Sequence, residues 1–362
     1  MYLDYAATAP MTAEAIACYE EIAKKYYGNA SSLHEDGWLA QQLLTRARQM
    51  IADIAGVSSR GLYFTGSGTE ANIIGIMSLA LASPKKHIVT SLAEHTSVHA
   101  AMNALERMGY TITRLPLERH GLIDCESVAR AMTDDTCLCA IQHINPEIGA
   151  IQPIEQLAKL ARARGVMLHV DCVQSFAKMK LPFAQHVTSM AFSAHKIGGP
   201  KSCGAVYIHP EASIAPLFPG LTHEGGLRGG TVDVAGIGAF AVAAQRSAQA
   251  MHHTHYEQLR EILCKQLNRK KYTIIDSKQQ YAGICGMYVH GYEGQYVMLK
   301  LSEAGVMIST GSACDAKAES GTKTILAMGA TVDEGRQFFR ISFGPSTTMT
   351  NIRDVCQILN AL

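Results

Sequence analysis

Between residues 60 and 210, short apolar runs rich in β-branched and aromatic residues alternate with longer stretches whose apolar positions recur at helical spacing. The runs at 62–64, 87–90, 110–113, 137–141, 166–170, 189–192 and 205–208 read as strands, and the stretches at 69–81, 96–108 and 154–164 read as helices. Pro153 and Gly165 frame the third helix, proline being tolerated in a first turn and glycine closing a last one. Repetition of strand, helix, strand is the rhythm of a mostly parallel sheet, here of seven strands. Upstream, Leu39, Leu43, Ala47, Ile51 and Ile54 keep helical spacing as far as Gly56, which predicts an amphipathic helix over 37–55. An Ala-rich segment at 234–251 leads out of the sheet. Residues 256–362 then read as helix, strand, strand, helix, strand, helix, strand, helix, with one of the strands at 306–308. The expected fold class is α/β: a large sheet domain over 1–250 and a smaller C-terminal α+β domain over 251–362, with residues 1–30 packing near the small domain.

The length of 362 residues suits two domains. A hydrophobic content of 48% against 17% charged residues excludes intrinsic disorder, and 31 Gly with 11 Pro exclude a collagen-like chain. Lys and Arg total 32 against 31 Asp and Glu, so there is no basic field for nucleic acid or for a membrane surface. The apolar stretch at 235–244 is far shorter than the roughly 20 residues that span a bilayer. The opening Met1-Tyr2-Leu3-Asp4 lacks the basic start and apolar run of a signal peptide, and the expected location is cytoplasmic. The 10 cysteines form no C-x-x-C pair and several, such as Cys137 and Cys139, lie in apolar runs, so most are expected to be buried and reduced. No metal site is expected, since no Cys/His grouping has zinc spacing.

Four stretches could carry chemistry. Ser193-Ala194-His195-Lys196-Ile197-Gly198-Gly199 follows a strand at the edge where open α/β sheets bind ligands. A lysine desolvated there yields a neutral amine able to form a Schiff base, for which pyridoxal phosphate is the natural carbonyl partner. Asp171, 25 residues earlier and at the end of 166–170, could hold a pyridine nitrogen protonated, with Gln174 three residues on within reach of a ring hydroxyl. Phe64-Thr65-Gly66-Ser67-Gly68-Thr69-Glu70 is a strand, a small-residue loop and a helix start, a candidate phosphate cradle. His95, after another strand, could lie against a ring or move a proton. Ser309-Thr310-Gly311-Ser312-Ala313-Cys314 sets a cysteine among small residues, where a thiolate is accessible. Each feature alone has a commoner explanation: a surface lysine, a helix cap, a tight turn, a chance loop cysteine. No P-loop or completed dinucleotide fingerprint occurs.

Taken in order, these stretches resemble the pyridoxal phosphate-dependent cysteine desulfurases of the NifS/IscS type, in the class V aminotransferase family. The resemblance extends to Tyr2-Leu3-Asp4-Tyr5-Ala6-Ala7-Thr8, Gly28-Asn29-Ala30-Ser31-Ser32, Glu94-His95, His169-Val170-Asp171 and Arg340-Ile341-Ser342-Phe343-Gly344, nearly the whole chain. It implies a fold type I homodimer with active sites at the subunit interface. It further implies Lys196 as the cofactor-binding lysine, Asp171 at the pyridine nitrogen, Gln174 at the ring hydroxyl and His95 stacked on the ring. Gly68, Thr69, Ser193 and His195 would hold the phosphate, joined by Thr231 of the neighbouring subunit. Arg340 would receive the substrate carboxylate, with Asn29 beside the substrate, and Cys314 would be the nucleophile that becomes a persulfide. The implied reaction converts L-cysteine to L-alanine and passes sulfur to an acceptor protein, for iron-sulfur cluster assembly or thio-modification.

Two departures from the family pattern stand out. The usual Asn-Asn-Glu-Ile-Gly is Asn145-Pro146-Glu147-Ile148-Gly149, which leaves Asn145 as the remaining cofactor contact in that loop. The chain also ends soon after its last expected helix, without the tail that housekeeping members use on a scaffold, so a dedicated acceptor is expected. Two other readings stay open on sequence alone: another class V lyase or aminotransferase, such as a selenocysteine lyase, and a non-catalytic interaction protein of the same fold.

Overall fold

A computed structural model describes residues 1–310 and 323–362. Helices α1 (Ala13–Lys25) and α2 (Glu35–Ala55) precede β1 (Leu62–Thr65), α3 (Gly68–Ala82), β2 (His87–Ser91), α4 (Thr96–Arg107) and β3 (Thr111–Leu115). There follow α5 (Cys125–Ala131), β4 (Thr136–Gln142), α6 (Ile154–Ala163), β5 (Met167–Asp171), β6 (Ser189–Ser193), β7 (Gly204–Ile208) and α7 (Val234–Ala250). The C-terminal part comprises α8 (His253–Gln266), β8 (Tyr272–Ile274), β9 (Ile284–Val289), α9 (Gly294–Glu303), α10 (Lys323–Ala327), α11 (Val332–Arg336), β10 (Phe338–Ser342) and α12 (Met349–Ala361).

All seven strands expected from the apolar runs join one sheet in the order β1-β7-β6-β5-β4-β2-β3. Only β7 runs against its neighbours, because the short connection from β6 leaves no room for the long crossover a parallel partner needs. That connection carries Lys196. The sheet is apolar on both faces, as parallel strands covered by helices must be. Met190 and Phe192 of β6 and Leu168 and Val170 of β5 pack with α2, α6 and α7. The alternate residues of those strands point the other way, where Ala191 joins the cluster formed with α3 and α4. By the same alternation His169 and Asp171 of β5, and Ser189 and Ser193 of β6, face α3.

The second sheet, β10-β9-β8, is antiparallel and has its own core, in which Leu259, Leu263, Met287, Leu301, Phe339 and Leu359 meet. Leu3 belongs to this core, and isolated bridges tie Tyr2 to Met307 and Asp4 to Ser342. Helix α1 instead packs along α7. The strand expected at 306–308 is not a ladder: Met307 bridges Tyr2 and Ser309 bridges Arg340, each singly. Among the described residues between it and β10 lie two short helices, α10 and α11, where one helix was expected. Among the described residues no helix is long and apolar enough to cross a membrane.

Candidate active site

The α3 face of β5 and β6 converges on the N-terminus of α3. Ser67 caps that helix, its Oγ accepting from Glu70 N–H at 3.1 Å, and Arg228 Nε donates to Glu70 Oε1 at 3.0 Å. Gly68 allows a close approach here: a Cβ on it would come within 2.8 Å of Val173 and 3.1 Å of Ser193. Thr69 is exposed on the first turn. Ser193 Oγ is buried beside this helix start and has no hydrogen-bond partner. A hydroxyl left unpaired next to unused helix N–H groups suits a phosphate oxygen, which would accept from both. The residues present thus fit the phosphate of the cofactor that the resemblance implies.

Residues 4–8 cross the carboxyl edge of the sheet and touch four of the expected site residues. Lys196 Nζ donates to the carbonyls of Ala6 and Ala7, each at 2.8 Å. Gln174 Nε2 donates to Ala6 O at 2.8 Å, while its Oε1 accepts from Lys178 Nζ at 3.1 Å. His195 Nδ1 lies 3.1 Å from Thr8 Oγ1; burial, with the charges of Lys196 and Lys178, pulls this imidazole down to about 4, so it is neutral at pH 7. Arg340 is 3% exposed and gives Nη2 to Asp4 Oδ1 at 2.6 Å and Nη1 to the Pro146 carbonyl at 2.8 Å. Its Nε–H is buried without a partner. The proline that replaces an expected asparagine therefore contributes its carbonyl to orienting the arginine.

Asp171, at the end of β5, accepts from Asn72 Nδ2 at 2.8 Å through Oδ2 and from Val173 N–H at 2.9 Å through Oδ1. His95 caps α4, with Nδ1 accepting from Ser97 N–H at 3.1 Å. Asn145 is engaged within its own loop. Its Oδ1 accepts from Glu147 and Ile148 N–H and its Nδ2 donates to Thr324 Oγ1 at 2.9 Å. That asparagine holds its own turn and α10. Asn29 and Thr231 are exposed, and no hydrogen bond among the described residues joins them to the other site residues. Cys314 lies outside the described residues.

Sequence reasoning missed three groups. Glu94 is 2% exposed, its Oε1 paired with Ser91 Oγ at 2.6 Å and its Oε2 with Gln142 N–H at 2.8 Å. Burial, reinforced by the Asp171 charge and opposed by those hydrogen bonds, pushes its carboxyl up to about 8. Lys178 is pulled down to about 7 by burial and by the charges of Lys196 and Arg340. It lines, with Tyr5, Lys196, Tyr256, Tyr281 and Phe343, a cavity of about 470 Å³ beside the N-terminal segment. Asn72 is the third. Its signal was a lone amide within the apolar run Ala71-Asn72-Ile73-Ile74.

Glu94 gives a pH prediction. Its folded value lies above its ordinary 4.5, so the folded chain keeps a proton that the unfolded chain releases. Stability from this group falls as pH rises from about 4.5 to about 8, and the penalty is complete above that. Glu94→Gln mimics the protonated acid. Urea unfolding at pH 5 and pH 9 is expected to show the variant gaining on the native protein by about 3 kcal/mol between the two. Parallel curves would refute a protonated Glu94.

The family model for Aminotransferase class-V matches residues 1–355. The chain is 39% identical to a putative cysteine desulfurase NifS of Bacillus subtilis (strain 168), over all of this chain and 94% of that protein. It is 32% identical to cysteine desulfurase IscS of Dictyoglomus turgidum, over all of this chain and 94% of that protein. Among solved structures, a NifS-like protein superimposes with a TM-score of 0.93 at 26% identity, covering 100% of this chain and 98% of that one. A structure described as SspA in complex with cysteine gives 0.84 at 28% identity, covering 96% and 99%.

Proposed function

We infer the function from one premise, that the chain belongs to the class V aminotransferase family: it is a pyridoxal phosphate-dependent cysteine desulfurase with a fold type I architecture. Its substrate is L-cysteine and its products are L-alanine and enzyme-bound sulfur. The observation that carries the residue assignments is a coincidence of vacancies. Of the five buried side-chain polar atoms without a partner among the described residues, two are Ser193 Oγ and Arg340 Nε, on the residues assigned to the two anionic groups, phosphate and substrate carboxylate.

When bound, pyridoxal phosphate supplies a carbonyl for the substrate amino group and a ring that draws electrons from the Cα–H bond. Lys196 anchors it and, once released, takes the Cα proton on Nζ. The Asp171 carboxylate would lie at the pyridine nitrogen and favour its protonated form. Ser193, His195 and the first turn of α3 with Gly68 and Thr69 would hold the phosphate, Gln174 would serve the ring hydroxyl, and His95 would lie against the ring. Arg340 orients the substrate through its carboxylate, with Asn29 at the rim. The Cys314 thiolate then attacks the substrate sulfur. A sulfur–sulfur bond forms, the Cβ–S bond breaks, and its electron pair stays with the carbon skeleton, which takes up protons and leaves as alanine. An acceptor protein or a reducing thiol collects the sulfur from the persulfide. Nine free cysteines among the described residues suit a reducing compartment, and the cytoplasm is the proposed location.

A homodimer completes the site. Thr231 is exposed on the single chain, and Tyr27, Leu33, Trp38 and Phe218 present apolar surface to solvent, with Tyr27 and Leu33 flanking Asn29 in sequence. Sedimentation showing a fully active monomer would exclude this. Arg340→Lys keeps the charge and loses the Nε–H. It is expected to lower kcat/KM for L-cysteine by about 10- to 100-fold, mainly through KM, with the cofactor still bound. An unchanged KM would remove Arg340 from the substrate carboxylate.

A further inference from the structure

Behind Asp171 and His95 lies one fully paired amide. Asn72, on the second turn of α3, is 1% exposed. Its Nδ2 donates both protons, to Asp171 Oδ2 at 2.8 Å and to Ser97 Oγ at 2.9 Å, and its Oδ1 lies 2.9 Å from His169 Nε2. His169 is buried and neutral, its ordinary value pulled down to about 3 by burial, and its Nδ1 lies 2.6 Å from Ser189 Oγ. Gly75 makes room: a Cβ there would meet the His169 ring at 2.8 Å.

The proton positions follow from the partners. A carboxylate cannot donate, so the Asn72 NH2 faces Asp171. The Asn72 oxygen cannot donate, so His169 carries its proton on Nε2 and accepts at Nδ1 from Ser189. Ser97 Oγ accepts from Asn72 and, because the Ser97 backbone N–H already makes His95 Nδ1 an acceptor, gives its own proton to that nitrogen, 2.7 Å away. The Ser97 backbone N–H points at the same nitrogen. His95 Nδ1 therefore faces two donors, so a ring that holds a single proton bears it on Nε2.

We propose that Asn72 is a positioning residue for the reaction: its one buried amide aims the Asp171 carboxylate and, by donating to Ser97 Oγ, turns the Ser97 hydroxyl proton toward Nδ1 of His95. This rests on the roles assigned above to Asp171 and His95. The amide is the only group that joins the residue at the pyridine nitrogen to the residue against the ring among the described hydrogen bonds. One substitution thus reaches both.

The test combines two readouts on the full chain. With ¹⁵N-labelled histidine, the His95 ring is titrated by NMR in native, Ser97→Ala and Asn72→Leu proteins, without and with pyridoxal phosphate. The pH dependence of the visible cofactor band is followed in parallel. Glu94, Asp171, His195, Lys196 and Lys323 stand around this corner and are common to all three proteins. Losing a hydrogen bond donated to Nδ1 is expected to raise the His95 titration midpoint by about half a unit to one unit in both variants. The cofactor band is expected to move in Asn72→Leu, where Asp171 loses a donor, and to stay in Ser97→Ala. If Asn72→Leu does not fold, Asn72→Ser takes its place, keeping a polar group too short to reach both partners. Unmoved His95 and cofactor titrations in a folded Asn72 variant would overturn the proposal. A native protein that forms no visible band, yet whose His95 titration still responds to Ser97→Ala, would instead count against the cofactor assignments and leave the hydrogen-bond chain standing.

Discussion

Replacing Lys196 by alanine removes the yellow band of lysine-bound pyridoxal phosphate and lowers alanine formation from L-cysteine by on the order of 10³-fold or more. Both effects arise from one atom. The short turn between β6 and the antiparallel β7 sets Lys196 at the carboxyl edge of the sheet, where its Nζ lies 2.8 Å from two carbonyls of residues 6 and 7. Those carbonyls hold the amine in the crevice between the sheet and the N-terminal segment. Among the described residues, the other lysine of that cavity is Lys178, which is tied to Gln174 Oε1 and comes from the loop after β5. Absorbance and alanine release measured on the same preparation check the prediction. An intact band, or activity within tenfold of native, would contradict the assignment.

The second large effect belongs to Cys314. Cys314→Ala is expected to bind the cofactor and respond spectroscopically to L-cysteine, yet to release neither sulfide nor alanine in repeated turnovers. Eight of the other nine cysteines make poor nucleophiles. Cys137, Cys139, Cys172, Cys203, Cys285 and Cys356 are buried, and burial pushes the Cys137 and Cys285 thiols up to about 11 and that of Cys203 to about 12. Cys18 and Cys125, half-buried, are also pushed up. The described residues that flank the Cys314 segment are anchored beside the site: Ser309 bridges Arg340, and Thr324 Oγ1 accepts from Asn145. Turnover that survives in Cys314→Ala would favour a lyase that needs no cysteine nucleophile, and the selenocysteine lyase reading would return.

The sheet was legible because its strands, apart from the edge strand β3, are largely buried on both faces and so appear as apolar runs bounded by turn residues; 137–141 and 189–192 needed only a residue or two added at their ends. The direction of β7 was not legible from the runs themselves, since it depends on the length of one connection. The segment at 306–308 has the composition of a strand, but its neighbours are the N-terminal residues and the edge at Arg340, and it makes only single bridges. Site residues carried by motifs, such as Lys196, Asp171 and Arg340, could be named in advance. Asn145 was named for its place in a motif, whereas its hydrogen bonds to Glu147 and Ile148 are a local turn that the motif does not express. Asn72 shows the opposite case. Its partners Ser97, His169 and Asp171 lie 25, 97 and 99 residues away, and only the alternation of β5 against α3 brings them together.

The central claim, that sulfur leaves L-cysteine by way of a thiolate on this chain, is tested most directly by mass spectrometry of the protein after reaction with pyridoxal phosphate and L-cysteine in the absence of reducing thiol. The account predicts one added sulfur atom on the peptide that contains Cys314, alanine in matching amount, and neither in Cys314→Ala. Alanine formed with no sulfur added at Cys314, or formed equally by the variant, would contradict it.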